Sequence, residues 1–198
     1  MEKMISEACE RNKGPILEKF KGVISSKKDL NILEIGSGTG QHAAFFASEL
    51  SNVSWSTSDL QENHEQIKLW IEGIKNIKQP IQFESGKDEF PQGDFDFIYT
   101  ANTLHIMSWR NVKTLIKQIG KALKGDGRVC IYGPFNYHGK FTSESNEQFD
   151  KWLKNRNSES GIRNFEDICN NFVKYNFILE NDFAMPANNR FLVFKKIK

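Results

Sequence analysis

Apolar residues along this chain fall into two patterns, short continuous runs and stripes that repeat at helical spacing. The runs are rich in β-branched and aromatic residues and are too short for helices, so they predict buried strands. The predicted strands cover 31–35, 52–58, 81–84, 95–101, 128–132, 177–183 and 190–196. Most of them alternate with stripes at i, i+3, i+4 and i+7, which predict helices packed on a sheet. This alternation favours a parallel, doubly wound α/β sheet.

The helical stripes, with the prolines and polar residues beside them, predict where the helices begin and end. Residues 1–29 are expected to form an N-terminal helical segment, with Pro15 suited to the first position of a helix. The polar cluster at 10–13 is typical of a solvated turn, and a segment that covers the mouth of a cleft is the alternative. A later stripe runs from Ile67 to Ile77, and Pro80 is expected to end that helix. Further helices are expected at 147–155 and 165–175.

A glycine loop follows the first predicted strand. Gly36, Gly38 and Gly40 stand at alternate positions, where the backbone can turn sharply and approach a ligand without a Cβ in the way. The helix after the loop offers unpaired N–H groups at its start, which suits a nucleotide-like ligand. The spacing is Gly-x-Gly-x-Gly, whereas a dinucleotide-binding turn has Gly-x-Gly-x-x-Gly. Asp59 follows the second strand, where a Rossmann-like unit places a ribose-binding carboxylate; a helix N-cap is the alternative.

Together, Glu34, the glycine loop and Asp59 resemble motif I of the class I S-adenosylmethionine (SAM)-dependent methyltransferases. The resemblance implies a Rossmann-like fold with a seven-stranded, mainly parallel sheet, an antiparallel last strand and helices on both faces. It also implies SAM as cofactor, S-adenosylhomocysteine as product and no metal. The implied cofactor-binding residues are Glu34, Gly36, Ser37, Gly38, Gly40, Asp59, Asp88 and Asn102, with Asp88 placed where the superfamily binds adenine.

Residues 102–109 follow the fourth predicted strand and resemble superfamily motif IV, which faces the transferable methyl group. Asn102 and His105 are therefore our candidate catalytic residues. A satisfied polar residue at a helix start is the alternative for His105. The stretch lacks the Asn/Asp-Pro-Pro-Tyr tetrapeptide associated with amino methylation of adenine and of some glutamines, which argues against a base-methylating role.

Several stretches resemble a narrower group, the methyltransferase-like 26 proteins, equivalent to domain of unknown function 938. They span nearly the whole chain and include 11–17, 102–106, 132–135, 141–146 and 185–189. Gly14 departs from the pattern, because a larger polar residue is expected there. The resemblance implies a substrate side formed by Arg11, Asn12, Tyr132, Phe135, Asn146, Arg163, Asn188 and Asn189. Residues 133–146, a long loop with four aromatic residues, are interpreted as a substrate-side wall within an insertion at about 133–164.

Composition and charge narrow the class of protein. A chain of 198 residues with 38% hydrophobic and 26% charged residues is expected to form one soluble domain over 1–198. The net charge of +2 gives no broad electrostatic case for a nucleic-acid partner. No apolar run is long enough for a membrane span, and no signal-peptide core is present, so we expect a cytoplasmic location. Cys9, Cys130 and Cys169 lack a zinc-ligand pattern and fit packing residues.

The sequence therefore predicts an enzyme that transfers a methyl group from SAM to a small-molecule or protein acceptor. Two alternatives stay open. A non-catalytic SAM-binding or interaction protein would keep the glycine loop and Asp59 without a productive acceptor site. An NAD-dependent oxidoreductase would need the dinucleotide glycine spacing, which this loop lacks.

Overall fold

The structure is a computed structural model that describes residues 2–24 and 29–197. Within these residues the α-helices are α1 (Glu7–Ile24), α2 (Gln41–Glu49), α3 (His64–Ile71), α4 (Trp109–Ala122), α5 (Glu144–Arg156) and α6 (Phe165–Val173). The strands are β1 (Leu30–Ile35), β2 (Val53–Asp59), β3 (Ile77–Gln82), β4 (Phe97–Ala101), β5 (Arg128–Gly133), β6 (Phe135–Asn136), β7 (Arg163–Asn164), β8 (Phe177–Met185) and β9 (Asn189–Lys196). A short 3-10 turn, Gln61–Asn63, leads into α3.

Seven of the strands form one sheet in the order β3-β2-β1-β4-β5-β9-β8. Neighbours from β3 to β5 run parallel, while β9 runs antiparallel to both β5 and β8. The predicted fold class, a Rossmann-like and mainly parallel sheet with an antiparallel last strand, is confirmed. Because the chain order reverses between β1 and β4, the carboxyl ends of these strands flank the crevice where open α/β sheets bind ligands.

Two hydrophobic clusters cover the two faces of the sheet. On one face, Phe20 of α1 and Phe46 of α2 pack against β-strand side chains. On the other face, α4 and α6 pack on the sheet, with Phe172 fully buried. Ile32 and Leu33, neighbours in β1, belong to opposite clusters, as the alternation of side chains along a strand requires. Helices therefore lie on both faces, which fixes the strand ends as the place for a ligand.

The N-terminal segment differs from its prediction. Residues 2–6 are not helical, and 25–28 lie outside the described residues. The cluster at 10–13, expected as a turn, belongs to α1, and Pro15 lies inside that helix rather than at its start. A proline inside a helix costs about 3 kcal/mol, and burial of one continuous helix face offsets this cost. The buried residues of that face are Cys9, Asn12, Ile16, Leu17, Phe20 and Ile24.

The third helix is shorter and the third strand begins earlier than predicted. α3 ends at Ile71, and Gly73 follows with φ 78°, the left-handed conformation in which many helices end. The predicted helix through Ile77 is therefore wrong, and β3 starts at that residue. Pro80 lies within β3 rather than closing a helix. A proline is tolerated there because β3 is an edge strand, and the ladder with β2 is irregular at this point.

The predicted long loop at 133–146 contains regular structure. β6 pairs in parallel with β7 to form a separate two-stranded ladder, and Tyr137 and Lys140 form an isolated bridge. α5 begins at Glu144, where the hydroxyl of Ser143 accepts a hydrogen bond from the N–H of Asn146. The segment between β5 and β7 is thus structured, and it lies beside the carboxyl ends of β4 and β5.

Within residues 2–24 and 29–197, none of the helices combines the length and apolar character of a membrane span. The same residues contain no group of three or more His, Cys, Asp or Glu side chains arranged for a metal ion.

Candidate functional site

The glycine loop after β1 adopts a backbone that few other residues could follow. Gly36, Gly38 and Gly40 have φ values of 72°, 59° and 90°. A Cβ on Gly36 would lie 2.7 Å from Oγ1 of Thr103, and one on Gly40 would lie 3.0 Å from Cα of Ile67. A Cβ on Gly38 would meet no atom within 4 Å, and Gly38 lines a cavity. Two glycines therefore allow close packing, and the third keeps the backbone open toward the cavity.

Asp59 ends β2 beside this loop, and protein donors hold its carboxylate in place. Oδ2 accepts a hydrogen bond from the N–H of Gly38 at 2.6 Å. Oδ1 accepts from the N–H of Leu60 at 2.7 Å and from Nδ2 of Asn63 at 2.8 Å. Each carboxylate oxygen has about two acceptor positions, so Oδ2 keeps one for a ligand. The side chain lines the cavity at the position predicted for ribose binding.

Glu34 lies behind the glycine loop, away from the cavity wall. Its side chain is only 2% exposed, and Oε2 accepts a hydrogen bond from Nε1 of Trp55 at 3.1 Å. Burial raises the pKa of Glu34 to about 7; hydrogen bonds from Trp55 and Ser37 oppose this rise, and the charge of Asp59 adds to it. Glu34 is therefore placed to support the loop, and a direct cofactor contact has no geometric support.

The first cavity opens in front of the loop with a volume of about 730 Å³, within the range typical of ligand sites. Its charged wall residues are acidic, namely Asp59, Glu84 and Glu159, and no lysine or arginine of the described residues lines it. Asp88 lies outside this wall. Its Oδ2 accepts from the N–H of Glu84 at 2.7 Å and from Nε2 of Gln82 at 3.0 Å, so it orders the loop after β3.

The segment before α1 is fastened across α2 and α3 and contributes to the cavity wall. The N–H of Ser6 donates to Oε1 of Gln41 at 2.5 Å. Nε1 of Trp70 donates to the carbonyl of Met4 at 2.9 Å. Ser6 and Cys9 both line the first cavity. These contacts agree with the second interpretation of the N-terminus, as a cover for the cleft.

A buried hydrogen bond joins α1 to the start of α2. Nε2 of His42 lies 2.7 Å from Oδ1 of Asn12, and both residues are less than 10% exposed. Burial lowers the pKa of His42 to about 4, and the positive charge of Lys13 lowers it further. The ring is therefore neutral near pH 7 and donates its Nε2 proton to Asn12. His42 lines the first cavity and Asn12 the second, so this bond lies between the two cavities.

The second cavity has a volume of about 840 Å³ and lies between α1 and α5. Both helices present one face to it, with Ala8, Arg11 and Asn12 from α1 and Phe149, Trp152 and Arg156 among the residues from α5. The ends of β5 and the turn before β9 complete the wall. Ser6, Asn102, Ile106 and Asn157 line both cavities, so the two spaces adjoin at the carboxyl end of β4.

Asn102 and His105 lie at this junction. Asn102 follows β4 with φ 56°, a left-handed conformation that asparagine tolerates better than other side chains. Its N–H donates to the carbonyl of Tyr132 at 2.8 Å, which joins the ends of β4 and β5. His105 lines the second cavity, and its ring meets Phe149 edge to face with centroids 5.3 Å apart.

The environment of His105 keeps its imidazole neutral. Burial lowers the pKa of His105 to about 4, and the positive charge of Arg163 contributes. Within the described residues, neither ring nitrogen has a hydrogen-bond partner. A neutral imidazole at the wall of a cavity can accept a proton from a bound molecule.

The structure gathers some of the predicted substrate-side residues and separates others. Arg11, Asn12, Tyr132, Asn146 and Asn189 line the second cavity. The other three are absent from the described lining: Phe135 is buried in the core, Arg163 donates hydrogen bonds to the carbonyls of Leu104, Met107 and Glu159, and Asn188 is an exposed turn residue with φ 57°.

Arg163 therefore has a supporting position, because it fixes the backbone on either side of His105. Asn146 also has local partners. Its Nδ2 donates to Oγ1 of Thr142 at 2.8 Å and to the carbonyl of Asn188 at 3.2 Å. These bonds connect α5 to the turn before β9 and close one end of the second cavity.

The cavity wall formed by α5 was not predicted from the sequence. Arg156 lies one position beyond the helix predicted at 147–155, which contains Phe149 and Trp152. Their rings lie 5.7 Å apart at an interplanar angle of 18°, and the Arg156 guanidinium lies 4.7 Å from the Trp152 ring centroid. The sequence held no separate signal for this wall, because an apolar stripe normally predicts core, and the 49% exposure of Trp152 is seen only in the structure.

The sheet order and the site at the β1–β4 switch define a class I methyltransferase fold. An O-methyltransferase family protein from Burkholderia thailandensis is similar with a TM-score of 0.82 and 13% identity, over 97% of this chain and 58% of that chain. Human N-acetylserotonin methyltransferase in complex with SAM gives a TM-score of 0.74 at 16% identity, over 96% of this chain and 58% of that one. At these identities the likeness shows the fold alone.

The chain belongs to the family described as "Protein of unknown function (DUF938)", which matches residues 3–196. Among curated proteins, Fusarin C synthetase from Gibberella moniliformis is 32% identical over 108 residues. This match covers 48% of the chain and 3% of the synthetase. The family and the fold predicted from the sequence are therefore confirmed.

Proposed function

We propose that this protein is a SAM-dependent methyltransferase that acts on a small-molecule or protein acceptor. The observation that carries the proposal is the pair of adjoining cavities at the carboxyl end of the sheet. The first is walled by the glycine loop and Asp59, and the second reaches it at Asn102. One bound molecule in each cavity would meet beside Asn102 and His105.

The residues of the first cavity fit SAM. The open space at Gly38 allows a ligand to approach the loop backbone, and Asp59 has an acceptor position for a ribose hydroxyl. Acidic wall residues without a lysine or arginine among the described lining favour a ligand that carries positive charge. We assign cofactor binding to Gly36, Ser37, Gly38, Asp59 and Asn102, with Glu34 and Gly40 supporting the loop.

When bound, SAM supplies an electrophilic methyl group on a sulfonium. The chain supplies alignment, because the two cavities hold two reactants side by side, and such alignment contributes roughly 7–11 kcal/mol. His105 is neutral and can take the proton of an acceptor hydroxyl or protonated amine on a ring nitrogen. Asn102 holds the strand end at the junction. The N-terminal segment with Ser6 and Cys9 restricts the access of water to the first cavity.

Two other functions have less support. A non-catalytic SAM-binding protein would not need a second cavity at the same strand ends. An NAD-dependent oxidoreductase would need a loop spaced for a pyrophosphate, and the third glycine here packs against Ile67 at a shorter spacing. A protein or small-molecule acceptor and a cytoplasmic location both belong to this proposal.

The test is SAM binding by titration calorimetry on a matched pair of variants, Gly38→Ala and Gly73→Ala. Both glycines have positive φ, 59° and 78°, and an added Cβ meets no atom within 4 Å at either position. Both variants therefore carry the same cost in backbone strain, about 1 kcal/mol. Gly38 lines the first cavity and Gly73 does not. We therefore expect Gly38→Ala to weaken SAM binding about tenfold, and Gly73→Ala to weaken it less than twofold.

Methyl transfer is measured separately, by incubating the protein with methyl-labelled SAM and a cell extract. SAM binding with labelled product supports the enzyme, and SAM binding without any labelled product supports the non-catalytic alternative. Binding of NAD in place of SAM, or an equal loss of SAM affinity in both glycine variants, would overturn the proposal.

A further inference from the structure

The two cavities differ in the sign of their charged wall residues. The charged side chains at the first cavity are Asp59, Glu84 and Glu159, and Glu84 is paired with Lys87. The charged side chains at the second cavity are Arg11 and Arg156, and no aspartate or glutamate of the described residues lines it. A cationic ligand is favoured in the first space, and an anionic one in the second.

The two arginines differ in how far they are already engaged. Arg11 lies 3.4 Å from Glu7, with both side chains more than 70% exposed, so this pair is weak. Arg156 forms no ion pair within the described part of the chain, and its guanidinium lies over the Trp152 ring. Both guanidinium groups are therefore available to an anion, and their planar donors match an oxyanion such as a carboxylate.

The positive field reaches polar groups inside the second cavity. Tyr132 lines this cavity, and its hydroxyl has a pKa raised by burial, with the Arg11 charge acting in the opposite direction. His105 also lines the second cavity. Burial lowers the pKa of His105, and the positive charge of Arg163 lowers it further. Three arginines thus act on one cavity from different sides.

The wall on α5 is aromatic. Phe149 and Trp152 lie nearly parallel, and His105 meets Phe149 from its edge. Trp152 is half exposed although it is a large apolar residue, so its ring has surface left for a partner. Planar rings gain contact energy by stacking or edge contacts with such side chains.

We infer that the second cavity binds an aromatic molecule with an oxyanion group as the methyl acceptor. Phe149 and Trp152 contact its ring, and Arg11 and Arg156 receive its oxyanion. This inference rests on the proposed function for the role of the molecule as acceptor, but its binding preference can be measured without any methyl transfer.

The experiment compares two probes of equal shape, 2-naphthoate and 2-naphthamide, by calorimetry on the full chain saturated with S-adenosylhomocysteine. We expect 2-naphthoate to bind about tenfold tighter, and this preference to weaken at high salt. Arg156→Gln and Arg11→Gln should each reduce the preference, and the double variant should abolish it. Arg110→Gln is the matched control, because Arg110 is exposed, lies outside both cavity walls and changes the net charge equally.

Equal affinity for the two probes, tighter binding of the amide, or no binding of either probe would overturn the inference. Retention of the preference in the double variant would also overturn it. Thermal melts verify that the arginine variants are folded, and SAM affinity is measured on the same samples. Loss of SAM binding in the unmodified chain contradicts the proposed function, whereas normal SAM binding without a naphthoate preference contradicts the acceptor class alone.

Discussion

The two cavities meet at the same strand ends but are built from different parts of the chain. The first is lined by the glycine loop after β1, by Asp59 at the end of β2 and by the segments that follow β3 and β4. The second is lined by one face of α1, one face of α5 and the turn before β9. The first is acidic at its wall and the second is basic and aromatic.

This difference separates the features that the sheet topology determines from those that depend on the side chains of this particular chain. The switch between β1 and β4 places a loop and a carboxylate at one edge whatever the neighbouring helices carry. The exposed cavity residues of α1 and α5, such as Arg11, Trp152 and Arg156, are freer to vary, because they belong to neither core cluster. We therefore expect the cofactor to follow from the fold, and the acceptor to follow from α1 and α5.

The largest expected effect is at His105, in the second cavity. His105→Gln should lower the rate of methyl transfer by about 10²- to 10⁴-fold, because it removes the proposed proton acceptor. SAM affinity should change less than twofold, since His105 does not line the first cavity. The pKa of about 4 keeps the ring neutral above pH 5, so the rate should show no inflection from this group near pH 6.5.

His138→Gln is the control for this prediction. The His138 side chain is 87% exposed and lies outside both cavity walls, so its variant should keep the full rate. Full methyl transfer by His105→Gln would remove His105 from the chemistry and leave alignment as the only contribution of the second cavity.

The second prediction concerns Glu34, which supports the glycine loop of the first cavity, and the way its ionisation makes the stability of the fold depend on pH. Burial raises the pKa of Glu34 in the folded chain to about 7 from the ordinary glutamate value of 4.5, so the folded state binds more protons between these values. Stability from this group is therefore full below about pH 4.5 and falls as the pH rises through 7. The loss amounts to about 3 kcal/mol in the free energy of unfolding.

Urea unfolding at pH 4.5 and pH 7.5 measures this effect as a difference between the wild type and Glu34→Gln. Glutamine keeps an oxygen for Nε1 of Trp55 but does not ionise, so the variant should gain stability relative to wild type at the higher pH. Glu62→Gln, which removes an exposed carboxyl nearby, should follow the wild-type profile. If the free energies of unfolding of Glu34→Gln and of the wild type changed with pH in the same way, the buried carboxyl would not be the cause of the pH dependence.

The strand pattern was predictable from the sequence because each strand is a local run of apolar residues. All seven predicted strands occur in the main sheet, and the glycine loop lies where its spacing places it. The errors concern residues whose conformation depends on neighbours. Gly73 ends α3 before its apolar stripe does, and Pro80 is acceptable in β3 because β3 is an edge strand of the sheet that the described residues form.

Those parts of the site whose residues lie close together in the sequence could be predicted, and those whose residues are far apart could not. Residues 34–59 hold the glycine loop and Asp59, so one stretch of sequence contains the frame of the first cavity. The second cavity collects residues from Ser6 to Asn189, and only tertiary structure places them together. Phe149 and Trp152 illustrate the difficulty, because helical spacing marks a residue as facing something without saying whether that is the core or a cavity.

The smallest expected effect is at Asn12, whose bond to His42 connects the two cavities. Asn12→Ala should lower the free energy of unfolding by about 1–2 kcal/mol, because it leaves a buried ring nitrogen without its acceptor. Urea unfolding measures this, with Arg11→Ala as the control on the adjacent, exposed residue, expected within about 0.5 kcal/mol of wild type. Equal stability of both variants would mean that the Asn12–His42 bond does not stabilise α1, and that the apolar face of this helix holds it in place without that bond.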